Sequence, residues 1–294
     1  MFLKRRDILK YTGIAGMGAV VAGSGSLFYM GTIEPAWLDV VSVNLHLSRL
    51  APAFNGYRIV QLSDIHADMT WMDAGRLSYV VGAANAQNPD LIVITGDFVT
   101  YLYDGMADTL SVLKGLRARD GVFAVLGNHD HWSDANEVST LIRAYGIQEL
   151  NNRVHTIQRA NTMLHLVGMD DLWVRPEDNY VPVWAHQTIL TPLLQTLPAE
   201  GAALLLVHEP DFADVAAATG RIDVQLSGHT HGGQVRLPGR GALRLPYLGK
   251  RYQAGLYRVQ TMWHYTSRGL GTVEPQVRFN CRPEITVFTC RAAG

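Results

Sequence analysis

Six short apolar runs, YRIVQLS, DLIVITG, GVFAVLG, LHLVGM, ALLLVH and IDVQLSG, constrain this chain more than any other feature. Each has strand length, and each is rich in Val, Ile and Leu, as strands covered on both faces are. Between the first three lie residues 73–87 and 105–118, whose apolar positions recur every three or four residues. That alternation of strand and helix requires a sheet at least partly parallel, with right-handed crossovers. Beyond the turn GHTHGGQ at 228–234 the pattern changes, and LYRVQTMWHYTS, PQVRFN and EITVFTC alternate with no helical segment. These three are expected to form a second sheet. No repeat, low-complexity tract or linker interrupts residues 50–294, so the expectation is one compact α/β (α+β) domain with two sheets.

The residues at the end of each run carry the chemistry. The first run leads to Asp64 and His66, the second to Asp97, and the third to Asn128, His129 and Asp130. ALLLV leads to His208, and IDVQLSG to His229 and His231. In open α/β sheets, loops from different strands converge at the strands' carboxyl ends, so five loops deliver these groups to one edge. Taken singly, each has a plainer reading. Asp64 and His66 suit a solvated turn, GNHD is rich in turn formers, and His208 after an apolar strand suits a hydrogen-bonded, half-buried imidazole. The GHTHGG turn says more, because alternate residues there can aim two imidazoles the same way while glycine permits close backbone approach.

Charge decides between the readings. Asp64, Asp97 and Asp130 in one crevice would repel one another, and these loops contain no lysine or arginine to neutralise them. Buried carboxylates are paired or coordinate a metal. Mixed carboxylate, amide and imidazole ligands suit Mn²⁺ first, with Fe or Zn²⁺ as alternatives, whereas Ca²⁺ takes oxygen ligands. So many candidates exceed one coordination sphere; two ions about 3.5–4 Å apart, sharing one carboxylate, can use seven of them. At 294 residues, 48% hydrophobic, 17% charged and with formal charge −1, the chain can bury a full core and has no global basic excess suited to a nucleic-acid scaffold.

In the order DIH, GD, GNHD, VH and GHTHGG, these motifs resemble the signature of the calcineurin-like metallophosphoesterases, over about residues 57–234. The resemblance is most similar to bacterial phosphodiesterases of the exported or membrane-attached kind. It implies a four-layer αββα sandwich with a dinuclear metal site. It also implies one ion on Asp64, His66, Asp97 and His231, and a second on Asp97, Asn128, His208 and His229, so that Asp97 bridges. His129 would stand beside the ions as a donor or acid at the scissile phosphate, with Asp130 orienting its ring. Many relatives carry an acidic or Asn residue shortly after the second motif, where this chain reads GDFVT, so no further ligand is carried over to Thr100. The implied reaction is metal-dependent phosphoester hydrolysis by a two-ion-bridged hydroxide, with His129 assisting. His46, His155, His165, His186 and His264 receive no metal role.

The N-terminus reads as an address. Lys4, Arg5, Arg6 and Lys10 precede a stretch without charge from Tyr11 to Ile33. Paired arginines before an apolar run resemble a twin-arginine export signal, and the length equally suits a membrane anchor. Residues 1–33 are therefore expected to be a signal or anchor and 34–294 the folded domain, on the extracytoplasmic (periplasmic) side of the cell membrane. Ala22, Gly23 and Ser24 fit a cleavage site, although Leu27 to Met30 stay apolar beyond it. Only Cys281 and Cys290 are present, too few for a disulfide framework.

For substrate, a phosphoester small molecule or lipid is expected. Arg236, Arg240, Arg244, Lys250 and Arg251 lie among Leu, Pro and Tyr residues, which reads as a solvated loop or as an amphipathic rim facing anionic lipid. Trp173, Arg175 and Trp184 suit core packing, or another wall of the site. Three other classes compete: a lipid-linked or nucleotide-sugar pyrophosphatase on a membrane substrate, a metal-dependent amide or lactone hydrolase, and a non-hydrolytic metal-binding scaffold. The last is disfavoured because every ligand role is filled.

Overall fold

The computed structural model describes residues 25–177 and 181–292. The paired arginines and the Ala22–Ser24 cleavage candidate lie outside the described residues. Helical backbone over residues 25–36 leads into β1 (Asp39–Leu47). The later strands are β2 (Arg58–Leu62), β3 (Leu91–Thr95), β4 (Val122–Val125), β5 (Gln148–Glu149), β6 (Arg153–Arg159) and β7 (Thr162–Gly168). They continue with β8 (Ala202–Leu206), β9 (Val224–Ser227), β10 (Arg236–Leu237), β11 (Gly241–Ala242), β12 (Gly255–Val259), β13 (Met262–Thr266) and β14 (Glu284–Ala292). Two six-stranded sheets result, in the orders β1-β14-β2-β3-β4-β5 and β12-β13-β9-β8-β7-β6. Both are mixed. The pairs from β2 to β5 and from β7 to β9 are parallel, while β14–β2, β6–β7 and β12–β13 are antiparallel.

Period-two alternation explains the layers. In β2 and β3, Ile59, Leu91 and Val93 face Leu204, Leu206, Val224 and Leu226 of the other sheet. The intervening Val60, Ile92 and Ile94 face outward onto Leu77, Val80, Val138 and Ile142. These belong to helices Ala74–Asn85 and Ala135–Ala144. Across the second sheet, Val167, Ala203, Leu205 and Val207 pack on Leu190, Phe212 and Val215. The expected αββα arrangement is thus present, and the runs are rich in Val, Ile and Leu because both faces of their strands are buried. Asp73 and Asp134 start the two first-sheet helices, accepting backbone N–H bonds from Arg76 at 2.8 Å and from Asn136 at 3.0 Å.

Two expectations are corrected. EITVFTC does not join the second sheet: it is β14, inserted between β1 and β2 of the first. Its Ile285 and Val287 serve one core layer and its Phe288 and Cys290 the other, which demands a central position. PQVRFN is not a strand but a loop carrying one isolated bridge, Val235 to Phe279, with the Arg278 side chain fully buried. The edge strands β1 and β6 gave no apolar signal because one face of each is solvated. Among the described residues no helix is long and apolar enough to cross a membrane.

His264 on β13 is fully buried beside Tyr252 and Tyr257, and burial pushes its pKa down from 6.5 to about 3. A depressed imidazole stabilises the fold above its unfolded pKa and ceases to do so as pH falls toward the folded value. Stability is therefore expected to fall between pH 6.5 and 3. By pH 5 this group's share of the loss is roughly 2 kcal/mol. Urea unfolding of His264→Leu should show a flatter acid limb than the parent protein; an identical limb would remove His264 as the cause.

Candidate metal centre

The first sheet supplies Asp64 and His66 after β2, Asp97 after β3, and Asn128 and His129 after β4; the second supplies His208 after β8 and His229 and His231 after β9. The site lies on the seam between sheets, and neither sheet carries all of the candidate ligands. Bonds across the seam fix its register. The His229 N–H donates to Asp64 Oδ1 at 2.8 Å, His208 Nδ1 to the Thr95 carbonyl at 2.7 Å, and Gln61 Nε2 to the Ser227 carbonyl at 3.0 Å.

The loop backbones are unusual. Asp64, His66, Asp97, His229 and His231 all adopt left-handed φ, from 47° to 71°. That region costs a non-glycine residue about 1–2 kcal/mol, so such clustering marks a place where side-chain direction outweighs backbone comfort. Gly127 shows how tight the approach is: a Cβ there would come within 2.4 Å of Asp97 Oδ1.

Each carboxylate divides its oxygens. Asp97 Oδ1 accepts the His129 N–H at 2.9 Å, while Oδ2 lies 3.3 Å from His66 Nε2 and 3.2 Å from His208 Nε2. Asp64 Oδ1 lies 3.4 Å from His231 Nε2, and the buried Oδ2 has no hydrogen-bond partner. Four ligand atoms, one each from Asp64, His66, Asp97 and His231, fall within 4.8 Å of one another. Asp97, Asn128 and His229 line the adjoining cleft, and the His208 and His229 rings are 4.9 Å apart. The Nε2 of His229 donates to the Tyr247 carbonyl at 2.6 Å, which frees Nδ1 as a ligand.

These residues fit cations. Asn128 Oδ1 and His231 Nδ1 are also buried without hydrogen-bond partners, and His66 Nε2 faces His231 Nε2 at 3.0 Å. Burial holds His66 below its usual pKa and His231 well below it; burial and the neighbouring His208 charge push His229 down to about 3. Neutral imidazoles with free lone pairs are what a metal requires. His208 differs. Burial would lower its pKa, but the charge of Asp97 and a hydrogen bond to it outweigh that and raise it well above normal. The field that retains this proton favours a divalent ion in its place.

Asp130 requires a correction. Its carboxylate does not orient the His129 ring; Oδ1 accepts the Phe98 and Val99 N–H groups at 2.9 and 3.2 Å, and Oδ2 accepts Gly127 N–H at 3.0 Å. It braces two loops through their backbones. The partner of His129 Nδ1 is the Thr100 carbonyl at 3.3 Å, and Thr100 Oγ1 lies 3.1 Å from His66 Nδ1. Nothing in GDFVT signals that bracing role of Thr100. Nor is Trp173 or Trp184 core: Trp173 lines the cleft and Trp184 is 67% exposed.

Residues 57–233 match the calcineurin-like phosphoesterase family, and the chain belongs to it. It is 33% identical over 297 residues to the uncharacterized metallophosphoesterase YkuE of Bacillus subtilis, covering 99% of each chain. Phosphodiesterase YaeI of Escherichia coli is 31% identical over 295 residues, covering 97% of this chain and 98% of that one. A Danio rerio transmembrane protein with metallophosphoesterase domain is 31% identical over 261 residues, 86% of this chain and 57% of its own. The protein is thus a hydrolase of the phosphoesterase class, with a buried Asp/His site suited to metal.

Because Asp130 satisfies three backbone donors in a fully buried place, Asp130→Ala should lower unfolding free energy by about 1–3 kcal/mol or more. Urea denaturation tests this; an unchanged midpoint would show that the loops hold without it.

Proposed function

We propose that this protein hydrolyses phosphodiesters at a two-ion centre. One ion is held by Asp64, His66, Asp97 and His231, the other by Asp97, Asn128, His208 and His229. The observation that carries this is the placing of Asp97 Oδ2, nearly equidistant from His66 Nε2 and His208 Nε2, with Oδ1 already committed to backbone. A carboxylate oxygen so shared suits a bridge. Mn²⁺ is the ion proposed, on ligand type. Such ions supply Lewis acidity toward phosphoryl oxygens and a water whose pKa falls from about 15.7 toward about 7.

The chain's own part centres on His129. Its Nδ1 donates to the Thr100 carbonyl, leaving Nε2 as the nitrogen available to a ligand in the cleft it lines. A protonated ring so fixed carries its transferable proton on Nε2, within reach of a leaving oxygen. The rings of His66 and Trp132, at centroid distances of 4.8 and 4.9 Å, hold it in place. Purified protein with Mn²⁺ is expected to split bis-p-nitrophenyl phosphate and to stop when chelated. His129→Ala should keep its metal, measured by elemental analysis, and lose about 10²–10⁴ in kcat. Full activity in that variant would remove the assigned role, and hydrolysis of carboxylic esters in preference would remove the reaction.

The cleft supports an amphiphilic substrate over a nucleotide sugar. Its volume is about 860 Å³. Leu243, Leu245, Val273 and Val277 form an aliphatic wall, and Leu243 is 61% exposed. The Trp132, Trp173 and Tyr247 rings are already packed edge to face on one another rather than parted to take a base. Arg244 and Lys250 stand on the rim with Glu274, leaving it net positive, whereas Arg251 is engaged with Asp214 at 2.5 Å. We infer a phosphodiester bearing an apolar chain, met at the extracytoplasmic membrane face. The basic start and uncharged run of residues 1–33 support that location. Across phosphodiesters of increasing acyl length, kcat/KM should rise, since each buried CH₂ contributes about 0.8 kcal/mol. Arg244→Gln with Lys250→Gln should lower the rate on anionic acyl substrates but not on bis-p-nitrophenyl phosphate. A flat chain-length series, or preference for nucleotide sugars, would overturn the amphiphile reading.

A further inference from the structure

The helical residues just before β1 are tied into the wall behind the metal centre. Glu34 is only 1% exposed, and its Oε1 accepts the Cys281 N–H at 2.5 Å. Cys281 is buried in turn, and its thiol donates to the His231 carbonyl at 3.1 Å. The contact is close on the next residue too, where a Cβ on Gly232 would meet Cys281 Sγ at 2.6 Å. One short chain of contacts therefore runs from Glu34 to a proposed metal ligand.

A second runs beside it. The Met30 carbonyl accepts the Arg278 N–H at 2.8 Å. The guanidinium of Arg278, fully buried, donates to the carbonyls of Gly271 at 2.6 Å, Cys281 at 3.0 Å and Gly269 at 3.2 Å. Gly271 then donates its N–H to the Asp64 carbonyl at 2.7 Å, and Leu270 to that of Ser63 at 3.0 Å. Both chains end on members of the same buried quartet, Asp64 and His231, and both ends have left-handed backbone with φ of 50°. A conformation of that kind persists only where the surroundings over-determine it. Burying the Glu34 carboxylate and the Arg278 guanidinium is costly, and both are applied to backbone groups of this wall.

We propose that residues 30–34 are a positioning element for one of the two ions, acting through Glu34 and Cys281 on His231 and through Arg278 on Asp64. This rests on the reading of Asp64 and His231 as metal ligands. Among the described residues the segment reaches the ion held by Asp97, Asn128, His208 and His229 only indirectly, through the His229 N–H on Asp64 Oδ1 and the shared Asp97, so that ion's affinity depends less on Glu34.

The test is calorimetric titration of Mn²⁺ into metal-stripped, full-length protein, resolving two equivalents. Glu34→Ala and Cys281→Ala should each weaken one equivalent about tenfold, as loss of outer support for a ligand does, and weaken the other by clearly less. Glu34→Gln keeps an acceptor for the Cys281 N–H, and Cys281→Ser keeps a donor to the His231 carbonyl; both should recover most of the affinity. Under saturating Mn²⁺ the alanine variants should regain kcat, which a general loosening of the fold would not permit. Parental affinity for both equivalents in the alanine variants, or equal loss at both, overturns the proposal. Should Glu34→Ala fail to fold, the Cys281→Ala and Cys281→Ser pair decides by the same readout. His231→Ala is the control: if it too binds both equivalents normally, the assignment of the ligands has failed rather than the positioning of them.

Discussion

The structure turns on the Asp97 carboxylate, buried where two sheets meet and shared between imidazoles from both. One oxygen is spent on the His129 N–H, and the other faces His66 from the first sheet and His208 from the second. Burial alone would raise the pKa of Asp97, but the His208 and His129 charges and two imidazole hydrogen bonds hold it well below the usual carboxylate value. Asp64, by contrast, is raised, by burial first and by Asp97 next among the effects that raise it. Two acids so close in a dry place need positive charge, which the His208 proton supplies here and a divalent ion would supply in its place. The αββα packing thus builds the site as well as the core, because the ligands of either proposed ion come from both sheets.

Holding that arrangement uses backbone more than side-chain pairs. Asp130, Thr95, Thr100 and Tyr247 each fix a loop or a ring through main-chain groups. Such bonds set imidazole tautomers as well as positions. His208 donates from Nδ1 and so presents Nε2, while His229 donates from Nε2 and so presents Nδ1. The two rings, 4.9 Å apart, present different nitrogens, a distinction set by which carbonyl lies behind each.

The cleft in front of the centre and the wall behind it have opposite characters. In front are aliphatic side chains with exposed cations at the rim, which suit a substrate that is part phosphate and part hydrocarbon. Behind are Arg278, Cys281 and Glu34, all buried, linking the residues just after the N-terminal apolar stretch to the site. An enzyme delivered to a membrane by that stretch would have its address and its metal ligands joined by a few hydrogen bonds.

Much of this was legible in the residues alone. Runs rich in Val, Ile and Leu locate strands buried on both faces, and the polar residues that end them fall at one edge because parallel strands share a direction. Asp64, His66, Asp97, Asn128, His208, His229 and His231 are local to strand ends, so their convergence is readable from the chain itself. The placement of β14 is not, since an apolar-rich strand of this kind is compatible with the centre of either sheet. Nor is the bracing by Asp130, Thr100 and Arg278, or the tie from Glu34 to Cys281 across 247 positions. The amino-acid order determined which side chains stand at the strand ends and what they can ligate; only tertiary structure decided what stands behind them. A strand's pattern reports its two faces, whereas hydrogen-bond partners are chosen by proximity in space, which no local pattern encodes.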